Sequence, residues 1–354
     1  MTLSIKGRGA LSNPTGRFAV THTEGVDDGW YAQETPTSVA THVEPEHARS
    51  IITSNDSPDI GFEASINPYR GCEHGCIYCY ARPSHAYVGL SPGLDFATRL
   101  FYKVGAASLL RQELARPGYV CKIIALGANT DPYQPIERQL HVTRDVLEIL
   151  RSCHHPVTIV TKGTLVLRDL GLLAELARDG LVSVMVSITS LDPDIKRTLE
   201  PRTASPQARL RIIQALSTAG IPVGVFVAPV IPVITDHELE DIVAAAANAG
   251  AGSANYVLLR LPYEVKTLFN EWLEEHHPLR AQHVMSVIAS MRDGRANDPR
   301  FGSRMRGTGP FAELLRTRFR LACQRANISS VRPSLNTQLF RPPQTDSGQL
   351  SLEI

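Results

Sequence analysis

Little in this chain would take it into or across a membrane. Its 354 residues contain no apolar run of the roughly 18 residues that a membrane-spanning helix needs. Met1–Arg8 lacks the apolar core of a secretory signal, so the expected compartment is the cytoplasm, where thiols stay reduced. Net charge is also nearly absent, with 36 Lys and Arg against 35 Asp and Glu. Aromatic residues are scarce at 6%, which gives few rings for stacking nucleic-acid bases. Only six cysteines are present, and three of them (Cys121, Cys153 and Cys323) are scattered. That pattern argues against a disulfide framework. No second C-x2-C follows the first, which argues against a zinc domain built from paired motifs. The 43% apolar and 20% charged fractions are those of a globular protein. The length allows one barrel-sized domain or a domain with appendages.

The other three cysteines stand together in Asn67-Pro68-Tyr69-Arg70-Gly71-Cys72-Glu73-His74-Gly75-Cys76-Ile77-Tyr78-Cys79-Tyr80. The spacing is C-x3-C-x2-C. Thiolates hold iron–sulfur clusters, and a cubic [4Fe–4S] cluster has four irons to ligate. Three cysteines in one tight loop hold three of them, and the fourth iron stays open to a non-protein ligand. An open position of that kind marks a catalytic rather than a structural metal site. The competing readings are a zinc site that adds His74 or His85 to the three thiolates, and a disulfide.

At this loop the chain resembles the radical S-adenosylmethionine (radical SAM) superfamily, with Tyr78 as the aromatic residue before the last cysteine. Cys79-Tyr80-Ala81-Arg82-Pro83-Ser84-His85 and Gly89-Leu90-Ser91-Pro92-Gly93-Leu94-Asp95-Phe96 resemble the branch related to spore photoproduct lyase. Within that branch the chain is similar to a group of uncharacterised bacterial radical proteins. The features shared with them are Gly7-Arg8-Gly9-Ala10, Asn55-Asp56-Ser57-Pro58-Asp59 and Glu200-Pro201-Arg202. The resemblance spans nearly the whole chain. It specifies cofactor and fold rather than substrate.

Composition and periodicity divide the chain into three parts. Residues 1–60, rich in Gly, Pro, Thr, Ser and Asp, read as a partly disordered N-terminal arm, mobile from Met1 to about Gly16. The stretch from Ile51 to Ile66 is expected to pack on the domain. Residues 61–291 carry regular elements. Helices are predicted over 95–115, Glu137–Leu150, Arg168–Arg178, Pro206–Ala219, Asp236–Ala249 and Leu279–Met291. Strands are predicted near Ala64–Asn67 and over Lys122–Leu126, Val157–Thr161, Leu181–Ile188, Pro222–Val227 and Asn255–Leu261. Strands alternating with helices imply parallel βαβ units. Six units are too few for a closed eight-stranded barrel. The resemblance implies an open (β/α)6 partial TIM barrel, an α/β fold with its site at the carboxyl ends of the strands. Residues 292–354 form a helical C-terminal extension and a polar tail. Up to Arg341 this part carries eleven arginines against Asp293, Asp298 and Glu313, whereas residues 1–66 hold four basic and nine acidic residues. The arginines either attract phosphates or pair with neighbouring acids on a solvated helix face.

The strand ends supply the remaining candidates. The resemblance implies that Asn129, Thr130 and Asp131 bind the amino group of S-adenosylmethionine, with Asp131 meeting the ammonium. The alternative is a proline-rich turn in which Asp131 caps the next helix. Lys162 is placed to meet a carboxylate or phosphate, or to snorkel. Ser187 or Thr189 either bonds the ribose hydroxyls or is a satisfied core hydroxyl. Arg202 suits the methionine carboxylate, or pairs with an acid such as Glu200. Ala228-Pro229-Val230-Ile231-Pro232 either walls the adenine or packs in the core.

Resemblance further implies reductive cleavage of S-adenosylmethionine to a 5′-deoxyadenosyl radical that takes hydrogen from a substrate. An electron donor such as flavodoxin or ferredoxin serves the cluster. The branch points to a nucleic-acid base as substrate, in lyase- or repair-like chemistry. Spore photoproduct lyase uses a cysteine as hydrogen donor beside the second strand, where this chain has Asn129. That departure keeps a small metabolite or peptide substrate open, and a non-catalytic metal-binding module is the third reading.

Overall fold

Val157–Thr161 and Val182–Ile188 are rich in β-branched residues and almost wholly buried. Such runs form the inner strands of a parallel sheet covered on both faces. They lie side by side with Val157 opposite Val182 and Thr161 opposite Val186. The computed structural model describes residues 7–19 and 39–344. Its strands in chain order are β1 (His42–Glu46), β2 (Ile52–Ser54), β3 (Ala64–Ile66), β4 (Tyr69–Arg70), β5 (Arg99–Lys103), β6 (Ile124–Leu126), β7 (Val157–Thr161), β8 (Val182–Ile188), β9 (Val223–Val230) and β10 (Ser253–Leu258). The main sheet runs β10-β9-β8-β7-β6-β3-β2. The six strands from β3 to β10 are mutually parallel, and β2 is antiparallel to β3. This is the mixed α/β architecture of an open partial barrel.

The helices are α1 (Asp95–Thr98), α2 (Ala106–Leu114), α3 (Glu137–Leu140), α4 (Val142–Ser152), α5 (Leu170–Arg178), α6 (Pro193–Leu199), α7 (Pro206–Thr218), α8 (Leu239–Asn248), α9 (Val265–His276), α10 (Ala281–Ser290) and α11 (Gly309–Arg325). Helices α5 and α7 pack on β8, and α8 packs on β9. The core between sheet and helices includes Val146, Leu150, Leu173, Ile212, Ile242 and Val243. A second core lies under the cysteine loop, where Ala10, Cys76, Ile77 and Tyr78 meet Leu199, Ile231, Leu259 and residues of α9 and α10. Among the described residues no helix is long and apolar enough to cross a membrane.

Three expectations need correcting. Residues 95–115 are not one helix. Arg99–Lys103 leaves α1 to pair with β1 and β4 in a separate three-stranded sheet. Gly105, at φ 64°, then starts α2. The predicted helix at Glu137–Leu150 is broken at His141, which sits at φ 56°. There the buried Glu137 carboxylate accepts the N–H groups of Thr143 (2.9 Å) and Arg144 (3.3 Å) at the start of α4.

The third correction concerns the N-terminal arm. Arg8–Leu11 is packed into the domain, with Ala10 1% exposed and Arg8 6% exposed. Arg8 donates to the carbonyls of Ala97 (2.7 Å) and Val39 (2.8 Å) and to Thr41 Oγ1 (2.9 Å). Gly9 lies flat on the cysteine loop, where a β-carbon would strike the Gly75 carbonyl oxygen. Met1–Lys6, residues 20–38 and the last ten residues of the polar tail lie outside the described residues. As expected, the stretch from Ile51 packs on the barrel. Ile51 is fully buried, and β2 pairs Ile52 with Ile66.

The C-terminal extension follows the barrel closely. Helix α11 packs on α8, and Arg318 pairs with Glu240 at 2.7 Å. The chain then meets the amino ends of the strands. Ser329 bridges to Ser253, and the N–H groups of Asn336 and Arg341 bond the carbonyls of Gly180 and Cys153.

Candidate active site

The cysteine loop follows β3 of the main sheet and β4 of the small one, so it stands at the carboxyl ends of the parallel strands. Gly71 begins it at φ 76°, and a side chain there would meet Leu100 and His85. Gly75, at φ 65°, makes the second left-handed step. Arg82 holds the loop from inside. It is completely buried, and its guanidinium donates to four carbonyl oxygens, those of Cys76 (2.9 Å), Gly75 (2.9 Å), Pro92 (2.9 Å) and Gly93 (2.6 Å). The far side is held by Gln134, which accepts the Glu73 N–H at 2.8 Å and donates to the Gly71 carbonyl at 3.2 Å.

All three thiols are free, and Cys72 and Cys76 are buried. Burial, Asp131 and the other two sulfurs push the Cys72 thiol well above its usual value. Burial and Glu200 push Cys76 up to about 12, against Lys162. Burial also raises Cys79, which Arg82 and Lys162 oppose. The sulfurs are therefore close enough to feel one another's charge, in a pocket that already contains cations.

Neither histidine of the zinc reading completes a tetrahedral site. His74 Nδ1 lies 3.3 Å from an Asp131 oxygen, and His85 Nε2 lies 2.9 Å from the Arg99 carbonyl oxygen. Among the described residues no three His, Cys, Asp or Glu side chains are grouped to hold a single metal ion. A cubane differs in spreading its cysteines over separate irons.

A buried polar network lies behind the loop. Tyr78 donates to Glu200, and its hydroxyl is 3.0 Å from Thr189 Oγ1. Glu200 pairs with buried Arg209 and lies 3.8 Å from Lys162 Nζ. Burial would raise the Glu200 carboxyl, but Arg209, Lys162 and Tyr78 hold it down to about 2. Lys162 donates to Ser187 Oγ at 2.6 Å, and Ser187 donates to the Ala228 carbonyl at 3.1 Å.

A scan of protein families matches residues 66–246, over half the chain, to the radical SAM superfamily model. The chain belongs to the radical SAM superfamily. An uncharacterised Mycobacterium tuberculosis protein (strain H37Rv) is 42% identical over 219 residues, which cover 61% of this chain and 64% of that protein. The match thus spans less than two thirds of the mycobacterial relative. An uncharacterised Methanocaldococcus jannaschii protein is 25% identical over 232 residues, covering 66% of this chain and 83% of its own. Among solved structures, spore photoproduct lyase complexed with dinucleoside spore photoproduct aligns with a TM-score of 0.57 and 17% identity, over 80% of this chain and 79% of that one. That similarity establishes the shared fold.

Membership implies a [4Fe–4S] cluster and S-adenosylmethionine, and the residues present fit them. Three free cysteines gather in one loop. The fully buried cation Arg82 beside them is held by carbonyls and has no carboxylate partner among the described residues, whereas buried Arg209 is paired with Glu200. Cys72, Cys76 and Cys79 would hold the cluster.

The structure brings the other candidates to the same end of the barrel and gives most of their side chains a protein partner. Asp131 accepts the Tyr133 N–H (2.8 Å) and Thr161 hydroxyl (2.7 Å) on one oxygen, and the Lys162 N–H (2.7 Å) on the other beside His74. Burial would raise its carboxyl, but His74 and these donors bring it below its usual value. It ties three strand ends together. The Thr130 hydroxyl donates to the Tyr69 carbonyl at 3.0 Å, and the Asn129 N–H bonds Asn67 at 2.9 Å. Among the described residues the Asn129 side chain has no hydrogen-bond partner. Arg202 pairs with Glu73, inside the cysteine loop, at 2.6 Å, whereas Glu200 belongs to Arg209. Val230 and Ile231 are buried in the two cores. Gln134 and Arg209 do not stand out in the sequence, and Arg8 and Arg82 stand in motifs that do not reveal what they bond. Arg8 and Gln134 bond residues distant in the chain, and Arg82 and Arg209 bond mainly the turns beside them, neither of which spacing alone reveals.

Proposed function

We propose that this chain is a radical enzyme that cleaves S-adenosylmethionine reductively and uses the resulting radical on a nucleic-acid base. The observation that carries this reading is the cysteine loop itself, three free thiols, two of them buried, in a loop clamped by Arg82 at the carboxyl ends of six parallel strands. Held there by Cys72, Cys76 and Cys79, a [4Fe–4S] cluster would supply the one-electron reduction that cleaves S-adenosylmethionine. A small redox protein such as flavodoxin or ferredoxin is the proposed electron source.

The chain's own residues position and insulate this chemistry. Lys162, fixed between Ser187 and Glu200, presents an ammonium toward the thiols. In this reading Asn129, Thr130 and Asp131 would meet the amino group of S-adenosylmethionine, Ser187 its ribose and Arg202 its carboxylate. Arg202 would exchange part of its bonding to Glu73 for the ligand carboxylate. Support for a base as substrate comes from the fold shared with spore photoproduct lyase. Asn129 in place of a donor cysteine favours a second reading, a small metabolite or peptide whose product needs no thiol.

Anaerobic reconstitution followed by reduction with S-adenosylmethionine tests the proposal. Release of 5′-deoxyadenosine, abolished by Cys76→Ala, is the expected result. No release from a protein with its full complement of iron and sulfide would sink the enzymatic reading. Deuterium passing from a labelled oligonucleotide into 5′-deoxyadenosine would select the nucleic-acid substrate over the alternative.

A further inference from the structure

Arg260 follows β10 at the mouth of the barrel, and its main chain is pinned on both sides. The Leu258 N–H bonds the Met305 carbonyl (3.0 Å), the Leu259 N–H bonds Val230 (3.0 Å), and Arg292 donates to the Leu259 carbonyl (2.6 Å). The side chain is half-buried, and its guanidinium lies 5.8 Å from the centre of the Tyr80 ring. Tyr80 immediately follows Cys79 and is 48% exposed.

Two neighbouring arginines have oxygen acceptors. Arg304 grips Asp59 at 2.5 and 2.7 Å, and Arg292 bonds two carbonyls. Arg260 has none among the described residues. Its Nη1 touches Met305 Sδ at 3.7 Å, and its buried Nε has no partner. A guanidinium has five donors, and leaving them unused away from water is costly. Burial and the charge of Arg304 both work against the cation. This packing is explained if a ligand supplies the missing acceptor.

We propose that Arg260 anchors a phosphate group of the substrate, with Tyr80 beside it as a stacking face for the attached base. The observations favour a nucleic acid because cations and exposed rings alternate here. Arg260 lies over Tyr80, and Arg304 lies 4.7 Å over Phe301, which is 57% exposed. That alternation characterises grooves for single-stranded nucleic acid. Folding thus brings together rings that are sparse in the sequence. The proposal rests on the radical-enzyme reading and names the substrate class of that same site. The competing source of an anion is the carboxylate of S-adenosylmethionine.

The test is binding, so its result can be read whether or not any turnover occurs. Anisotropy of a fluorescein-labelled pentathymidylate is compared with that of its uncharged methylphosphonate analogue on the reconstituted protein. The wild type should prefer the phosphodiester by about tenfold or more, the scale of one charge-assisted hydrogen bond. Arg260→Gln should reduce that preference to near one, and Arg260→Lys should restore part of it. Equal binding of the two probes by the wild type, or no binding, overturns the proposal. So does an Arg260→Gln variant that keeps the preference while losing affinity for S-adenosylmethionine, which would assign Arg260 to the cofactor carboxylate. Failure to release 5′-deoxyadenosine would count against the radical reading alone.

Discussion

Replacing Arg82 by Met tests the account of the cysteine loop most directly. Methionine keeps much of the apolar stem beside Phe96, over whose ring the guanidinium lies at 5.2 Å. What disappears is the fork that donates to four carbonyls, two in the loop and two in the Ser91–Leu94 turn. Each buried acceptor left unsatisfied costs about 1–3 kcal/mol. Relaxation and water will recover some of that, and breaking a buried charged network as a whole typically costs ~3–5 kcal/mol. The bare chain should lose less, about 2–3 kcal/mol, because there Arg82 is itself a buried cation without a carboxylate, lowered by burial. Negative charge on Cys79, Cys76 and Cys72 acts in the opposite direction and favours the charged guanidinium. The loss should therefore be larger when the sulfurs are thiolates ligating iron. Anaerobic urea unfolding of the bare and reconstituted forms measures both costs, and iron and sulfide analysis measures retention of the cluster. The reasoning fails if Arg82→Met unfolds at the wild-type midpoint and binds the full complement of iron. It also fails if the bare form suffers more than the reconstituted one.

Four other outcomes follow from the same geometry. Gly9→Ala should push the N-terminal segment off Gly75 and cost about 1–3 kcal/mol by overpacking, seen as faster proteolysis near residue 10 and lower iron retention. Glu200 is held down to about 2 in the folded chain, so its contribution is present above pH about 4.5 and is lost as pH falls toward 2; Glu200→Gln should make stability at pH 7 lower and its decline with acid shallower, by up to ~1.4 kcal/mol per pH unit. Burial pushes His85 and His155 down to about 4, so they stabilise the fold above pH about 6.5 and lose that effect as pH falls toward 4, a higher window that Glu200→Gln should leave intact in urea titrations. Asp131→Asn weakens the junction of Thr161, Lys162 and His74, and calorimetry should show a loss of about 2 kcal/mol in stability as well as weaker binding of S-adenosylmethionine.

The sequence exposed the main sheet because its strands are short apolar runs between amphipathic helices. Val157–Thr161 needed no adjustment, and the other central strands shifted by a few residues. The loss of β5 inside a predicted helix has a physical cause. Phe96, Leu100 and Leu109 fit a helical stripe, while the partners that make Arg99–Lys103 a strand lie more than 25 residues away in β1 and β4. Helix α9 is also legible in the sequence. Val265, Leu268, Phe269, Trp272 and Leu273 recur at helical spacing and are all buried. In the site, local spacing identified the three cysteines. Arg82, which clamps them, stands three residues after Cys79, while Gln134, Lys162, Arg202 and Arg209 come from elements dispersed through the chain and only folding brings them to the loop.

The charges around the loop fix its electrostatic role. Each acid near the thiols is already matched: Glu200 by Arg209 and Lys162, Glu73 by Arg202, and Asp131 by His74 and a set of hydrogen-bond donors. Arg82 is left with carbonyl dipoles and the three sulfurs. A structural thiol cluster kept protonated would gain nothing from a buried cation, because desolvating that cation is costly and neutral thiols return little. Thiolates bound to iron reverse that balance. Arg82 then serves as their counter-charge while holding the backbone that spaces them. The arrangement of carboxylates elsewhere and an unmatched arginine here is the one expected of a loop completed by ionised sulfur.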